Sequence, residues 1–266
     1  DNLSTPVLST TANGYNLELL GTTTTVSDTN TATTFLNTGN LVLGNGAGDT
    51  LTFAGGLTAT APAAISAAGT VNTTNKPMSL GDSDTALTLT ANTTLSTGSG
   101  DITFGGTVNG ATSLTLNSTG VTTLQAAVGN TAALSSVTTN AGGTLVMNGG
   151  VVNTTGLQSY GEAATLGAAT TLTSTGSGAI TFGNTLNGSQ TLAVNTSGAT
   201  TFTGAVGNTT ALTSLTTDVG GSVAINGGVV NTTGAQSYGE AATLGAATTL
   251  TSTGSGAITF GDTLNG

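Results

Sequence analysis

The sequence predicts an all-β protein wound as a parallel β-helix, a β-solenoid. Three observations predict it: a gapless tandem repeat, short alternating segments without helical spacing, and a composition too poor in bulky apolar residues for a large globular core. The repeat is plainest in QSYGEAATLGAATTLTSTGSGAITFG, which runs from Gln158 to Gly183 and again, identically, from Gln236 to Gly261. Asp101–Gly178 aligns without gaps on Ala179–Gly256, and Ala257–Gly266 opens a further copy. A diverged relative lies at Gly69–Gly110. One architecture thus spans residues 1–266, as diverged coils over 1–100, copies at 101–178 and 179–256, and a new start at 257–266. The chain begins at Asp1 and stops partway into a copy, so it reads as a piece of something longer.

Within each copy the local pattern is a short segment, a Gly or Asn turn, then another segment: AITFG, SQTLAVNTSG, ATTFTG, ALTSLTTDVGG, SVAINGG, AATLG, TTLTSTGSG. Strict alternation argues for strands, because successive side chains of a strand point to opposite faces. It places Ile102 and Phe104, Ile180 and Phe182, Leu192 and Val194, and Ile258 and Phe260 on an inner face, with Thr or Ala between them outside. Thr favours strands, whereas Asn and Gly supply turns. Asn-Gly recurs at Asn109, Asn148, Asn187, Asn226 and Asn265, where Gly provides the positive φ that a tight corner needs. Strands this short and this closely spaced suit neither a sandwich nor βαβ units. They suit a coil of three strands and three turns that buries its inner face by stacking on its neighbours. Four coils per copy gives about 20 residues per coil, a usual length for a solenoid turn. Stacked at about 4.8 Å, such coils number roughly 13 and make a rod of about 60 to 65 Å.

Composition excludes several function classes. Net charge is −10 and Lys76 is the only cationic side chain, so no basic patch exists to bind a nucleic-acid backbone or an anionic membrane surface. Cys is absent, which removes disulfides and thiolate metal sites. No apolar run is long enough to span a bilayer as a helix, and the N-terminus lacks the order of a signal peptide.

The units ITFGGTVNG, TLNSTG, VTTLQAAVGN, GGTLVMNGGVVNTTG and YGEAATLGAATTLTS resemble the Gly/Thr/Asn-rich repeats of filamentous-haemagglutinin-like exoproteins, the large bacterial adhesins of two-partner and autotransporter secretion. The resemblance covers nearly the whole chain. It implies a right-handed β-helical shaft, export to the bacterial cell surface or medium, and a role in attachment, biofilm or matrix assembly. Nearly uncharged walls and open terminal β-edges point in addition to self-association into fibres by end-to-end or lateral packing, with receptor contacts made by regions outside this segment. Neither an Asn-Pro-Asn-Gly motif nor Arg-Gly-Asp occurs, so the segment corresponds to shaft rather than to secretion domain or tip.

Few residues carry chemistry. β-Helical lyases need clustered Asp with Lys or Arg, and the chain has one Lys and no Arg or His. The expectation is therefore no enzyme and no cofactor. Glu162 and Glu240 are repeat-equivalent, and four coils would separate them by roughly 19 Å, too far for a glycosidase pair; they read as solvated surface charges. Tyr160 and Tyr238 read as capping or stacking groups at a coil corner rather than a carbohydrate platform. Asp82 and Asp84 form the one close acidic pair and the best candidate for Ca²⁺, although two carboxylates in a turn fall short of an EF-hand loop and read first as a polar turn. Thr-x-Thr strands at Thr88–Thr90, Thr171–Thr173 and Thr251–Thr253 raise the alternative of an ice-binding solenoid, and a polysaccharide-binding β-helix is the other alternative. Sequons at Asn72, Asn92, Asn153 and Asn231 make surface glycosylation a further possibility.

Overall fold

The computed structural model describes residues 2–266, and every regular element among them is a strand: 32 strands, paired in parallel throughout. The chain is a parallel β-solenoid of about 12 turns averaging about 22 residues each. It falls into two compact units, one ending at Ser135 and the other spanning Ser136–Gly266.

In the first unit the turns vary in length. Thr24 pairs with Leu51 and Leu51 with Val71, so the earlier turn takes more chain than the later one. Two long strands, Ala64–Thr73 and Leu87–Gly98, bend round a corner and serve two sides of the coil. Ile65–Ala67 pair with Leu41–Leu43, and Gly69–Asn72 pair with Thr93–Ser96. A third side stacks Thr33–Thr34, Leu57–Ala59, Met78–Leu80, Ile102–Phe104 and Val121–Leu124.

The second unit has three stacks. One runs through Ser136–Thr139, Gln158–Tyr160, Ile180–Phe182, Ala199–Phe202, Ser222–Ile225 and Ala241–Leu244. A second holds Val151–Thr154, Thr170–Ser174, Thr191–Thr196, Ser214–Thr217, Gln236–Tyr238 and Ile258–Phe260. The third holds Thr144–Met147, Ala163–Leu166, Leu186–Asn187, the bridge at Val206, Val229–Thr232 and Thr249–Ser252. Inward residues alternate with outward ones along the strands, as the sequence pattern demands.

The identical segments therefore occupy different sides of the coil. Gln158–Tyr160 lies in the first stack and its copy Gln236–Tyr238 in the second. Ala163–Leu166 lies in the third and its copy Ala241–Leu244 in the first. Between Gln158–Tyr160 and its copy come nine strands and the Val206 bridge, so the copy starts eleven sides on. With three sides per turn, one repeat makes three and two-thirds turns, and each copy is turned by one side relative to the last. Four whole coils per copy thus becomes three and two-thirds longer ones. A three-sided solenoid needs a whole number of sides per repeat, not a whole number of turns.

Of the residues expected inside, Ile102, Phe104, Ile180, Phe182, Leu192 and Val194 are all buried. Ile258 is exposed and Phe260 only half-buried, because their strand has a partner on one side alone. Rings stack in register along the axis: Tyr160 on Phe182 at 5.1 Å, Phe182 on Phe202 at 5.7 Å, and Tyr238 on Phe260 at 5.0 Å.

Corner chemistry is equally repetitive. At one corner Thr154 and Ser174, on consecutive turns, both donate to the carbonyl of Gly156, at 2.6 and 2.8 Å; Thr232 and Ser252 repeat this on Gly234, at 2.6 and 2.9 Å. These hydroxyls satisfy a turn carbonyl that strand pairing leaves over. Asn109, Asn187 and Asn265 close two-residue strands rather than sitting in the turn itself. The Oδ1 of Asn187 accepts from the N–H groups of Thr209 and Thr210, and Asn109 does the same for Thr131 and Ala132. Asn148 and Asn226 stand in turns, each two residues before a Gly of positive φ. The corner after Asn187 requires Gly188: its φ is +125°, and a Cβ there would lie 2.3 Å from the Leu166 carbonyl oxygen. Gly188→Ala is expected to cost about 2 to 3 kcal/mol in chemical denaturation, from strain and overlap together.

Candidate functional site

The two identical YGE segments bring Tyr and Glu inside the coil. Period-two alternation continues unbroken from Gln158 through Tyr160 and Glu162 to Ala164, all inward, with Ser159, Gly161 and Ala163 outward. Gln158 is fully buried; its Nε2 donates to the carbonyls of Val152 and Thr173 at 3.1 and 2.9 Å and to Thr154 Oγ1 at 3.2 Å, and its Oε1 accepts from the Tyr160 hydroxyl at 2.8 Å. Gln236 and Tyr238 repeat this network, with the carbonyls of Val230 and Thr251 as acceptors. Burial drives both tyrosine hydroxyls well above their ordinary range. The Tyr side chains stack in the interior, so the carbohydrate-platform alternative is removed.

Glu162 and Glu240 are each 1% exposed, which overturns their reading as solvated surface charges. They also face different corners, because the copies are turned by one side. The alternation of QSYGEAA carried that signal: Glu falls in the inward phase set by Gln and Tyr.

Glu240 follows Tyr238 at the corner leading to Ala241–Leu244, and Asp218 occupies the same corner one turn earlier. Thr217 Oγ1, from the strand one turn earlier, and Thr200 Oγ1, from two turns earlier, face Glu240. Burial, and then the Asp218 charge, push the Glu240 carboxyl up to about 7, and the two hydroxyls oppose the shift. Both Glu240 oxygens, Asp218 Oδ1, Thr200 Oγ1 and Thr217 Oγ1 are buried, and none meets hydrogen-bond geometry with a partner. The hydroxyls are therefore near enough to favour the charge without forming full bonds. At the equivalent place in the previous copy Asn140 stands where Asp218 is.

A carboxyl raised in the folded state stabilises the fold fully below its unfolded value, 4.5 here, and that contribution is lost as pH rises to about 7. In chelator, stability is expected to fall across this window with a slope of up to about 1.4 kcal/mol per pH unit, read by urea denaturation. Asp28 and Asp82, lowered by hydrogen bonds from their own turns, act only at more acidic pH. A flat profile from pH 4.5 to 7, or an unchanged one in Glu240→Gln, would contradict this.

Asp82 and Asp84 lie in an exposed turn, where Asp82 Oδ1 accepts from the Asp84 N–H at 3.1 Å. One carboxylate of the pair is thus engaged in shaping its own loop, and among the described residues no group of three His, Cys, Asp or Glu gathers there or elsewhere. The Thr-x-Thr segments do not share a plane. Thr171 and Thr173 face outward from the second stack beside Ala193 and Asn195, whereas the copy's Thr249 and Thr251 face outward from the third. A hollow of about 530 Å³ beside Leu244–Thr248 and Leu264–Gly266 holds no titratable side chain. The chain matches no family model, no curated protein and no solved structure.

Proposed function

We propose that this chain is a shaft segment of a large extracellular fibre or adhesin of the filamentous-haemagglutinin-like type, built to extend and without catalysis of its own. The observation that carries this reading is the one-side turn between identical copies. A surface that binds a flat or directed ligand gains from copies that face the same way. Copies that keep their buried Gln-Tyr network and ring stacks while facing different ways are preserved for the coil they build. The ice-binding alternative loses support on the same ground, since the Thr pairs of the two copies lie on different sides. A polysaccharide lyase loses support because the chain offers one Lys and no Arg or His to hold an acidic sugar. Nearly uncharged walls, with hydroxyl and small side chains outside, suit lateral packing into fibres, and secretion to the cell surface follows from the same reading.

Electron microscopy and fibre diffraction of the native, full-length material test this. Thin filaments with a layer spacing of about 4.8 Å are expected. Compact particles without that spacing would sink the shaft reading.

A further inference from the structure

We propose that the corner formed by Asp218, Glu240, Thr200 and Thr217 is a binding site for one hard divalent cation, Ca²⁺ by its ligand chemistry. The oxygens that act on the Glu240 carboxyl are all acceptors or hydroxyls: with its own two stand Oδ1 of Asp218 and the hydroxyls of Thr200 and Thr217. Thr200, Thr217 and Glu240 are no more than 2% exposed, and none of the five atoms meets hydrogen-bond geometry with a partner. A group of buried orphan oxygens calls for a missing ion or water. Ca²⁺ takes six to eight oxygen ligands in flexible geometry, from carboxylates, carbonyls and water, and a threonine hydroxyl is a hard neutral oxygen of the same kind as water. A site of two carboxylates balances its double charge. Mg²⁺ demands stricter geometry and keeps its waters, which a closed corner does not supply.

A proton is the competing occupant. One proton on Glu240 adds a single O–H donor to the two that Thr200 and Thr217 carry, and it supplies no positive charge against the Asp218 carboxylate. One cation engages all five oxygens at once and removes the repulsion between the two acids. No cationic side chain contributes to Glu240's environment, so nothing in the protein substitutes for it. The repeat itself supplies a control. The previous copy has Asn140 in the place of Asp218, so the second carboxylate of the site belongs to one copy and not to the other. Asp82 and Asp84, the pair the sequence singles out for Ca²⁺, lie outside this corner.

The test uses the whole chain, stripped with EDTA and dialysed, at pH 8, where Glu240 is ionised. CaCl₂ is titrated by calorimetry, and thermal unfolding is followed with and without it. One Ca²⁺ per chain and a melting temperature that rises with CaCl₂ are expected, since a ligand that binds only the folded state stabilises it. Asp218→Asn, which restores the residue of the previous copy and so keeps the fold, is expected to weaken binding at least tenfold and to abolish the thermal shift. Asp82→Asn with Asp84→Asn is expected to leave both unchanged. No heat and no shift in the natural chain would overturn the proposal and leave the proton as occupant. So would Ca²⁺ binding that survives Asp218→Asn, or that disappears with the Asp82 and Asp84 changes.

Discussion

Phe182→Ala is expected to cost about 4 to 5 kcal/mol, the largest effect of any single substitution considered. Phe182 is buried between Tyr160 and Phe202, with ring centroids 5.1 and 5.7 Å away. Truncation empties a space that the neighbouring turns cannot close, because strand pairing above and below fixes their separation. The lost ring contacts add to the cavity. Phe182→Leu is expected to cost about 1.5 kcal/mol, since most of the volume is kept. Phe260 occupies the same place in the next copy, is half exposed and touches one ring only, so Phe260→Ala is expected to cost about 1 kcal/mol. Urea denaturation of the three variants checks the order. Equal losses at Phe182 and Phe260 would show that axial ring stacking is not what holds the coil.

Gln158→Ala is expected to cost about 3 to 4 kcal/mol, because it strips the partner from the carbonyls of Val152 and Thr173 and from the Tyr160 hydroxyl. Each buried group so orphaned costs about 1 to 3 kcal/mol. Gln158→Leu fills the space but restores no donor, so it is expected to remain destabilising by about 2 kcal/mol. Solenoid turns are stabilised by their neighbours, so the damage stays local. Amide exchange is expected to quicken in Val151–Thr154, Gln158–Tyr160 and Thr170–Ser174 before it does in Ser222–Ile225. A Leu variant as stable as the natural chain would show the network to be incidental.

The fold is legible because its periodicity is written in single residues. Ile-Thr-Phe and Leu-Ala-Val alternate, Gly follows Asn at corners, and no segment carries helical spacing, so strand direction and inner face can be read directly. The number of turns per repeat is not legible. Strands of two residues, such as Leu186–Asn187, and a bare bridge at Val206 count as sides of the coil yet leave almost no pattern in the sequence. The site is half legible. Stacking of Tyr160 can be expected from its type, whereas Gln158 looks like any other polar strand residue. Glu162 is expected outside because charge favours water, yet the phase of QSYGEAA puts it inward. The partner acid Asp218 is beyond reach, because it stands a full turn of chain from Glu240 and meets it only through the stacking of turns.

Engineered cysteine pairs on the outer faces test the central claim most directly. Ser159 stands in an outward column that runs from Thr138 through Ser159, Thr181, Thr201 and Ala224 to Thr243. Its identical counterpart Ser237 stands instead in another stack, paired with Thr216. Parallel neighbours lie about 4.8 Å apart, within the reach of a disulfide. If one repeat made a whole number of turns, Ser237 and its one-turn neighbour Thr216 would join the column of Ser159, and Thr216 would stand beside Thr201 instead of Ala193. Under mild oxidation Ala193→Cys with Thr216→Cys is expected to bridge within one chain, and Thr201→Cys with Thr216→Cys is expected to stay reduced. The reverse outcome would place identical copies on the same side of the coil. The turning of the repeat, and the case for a shaft that rests on it, would then fail.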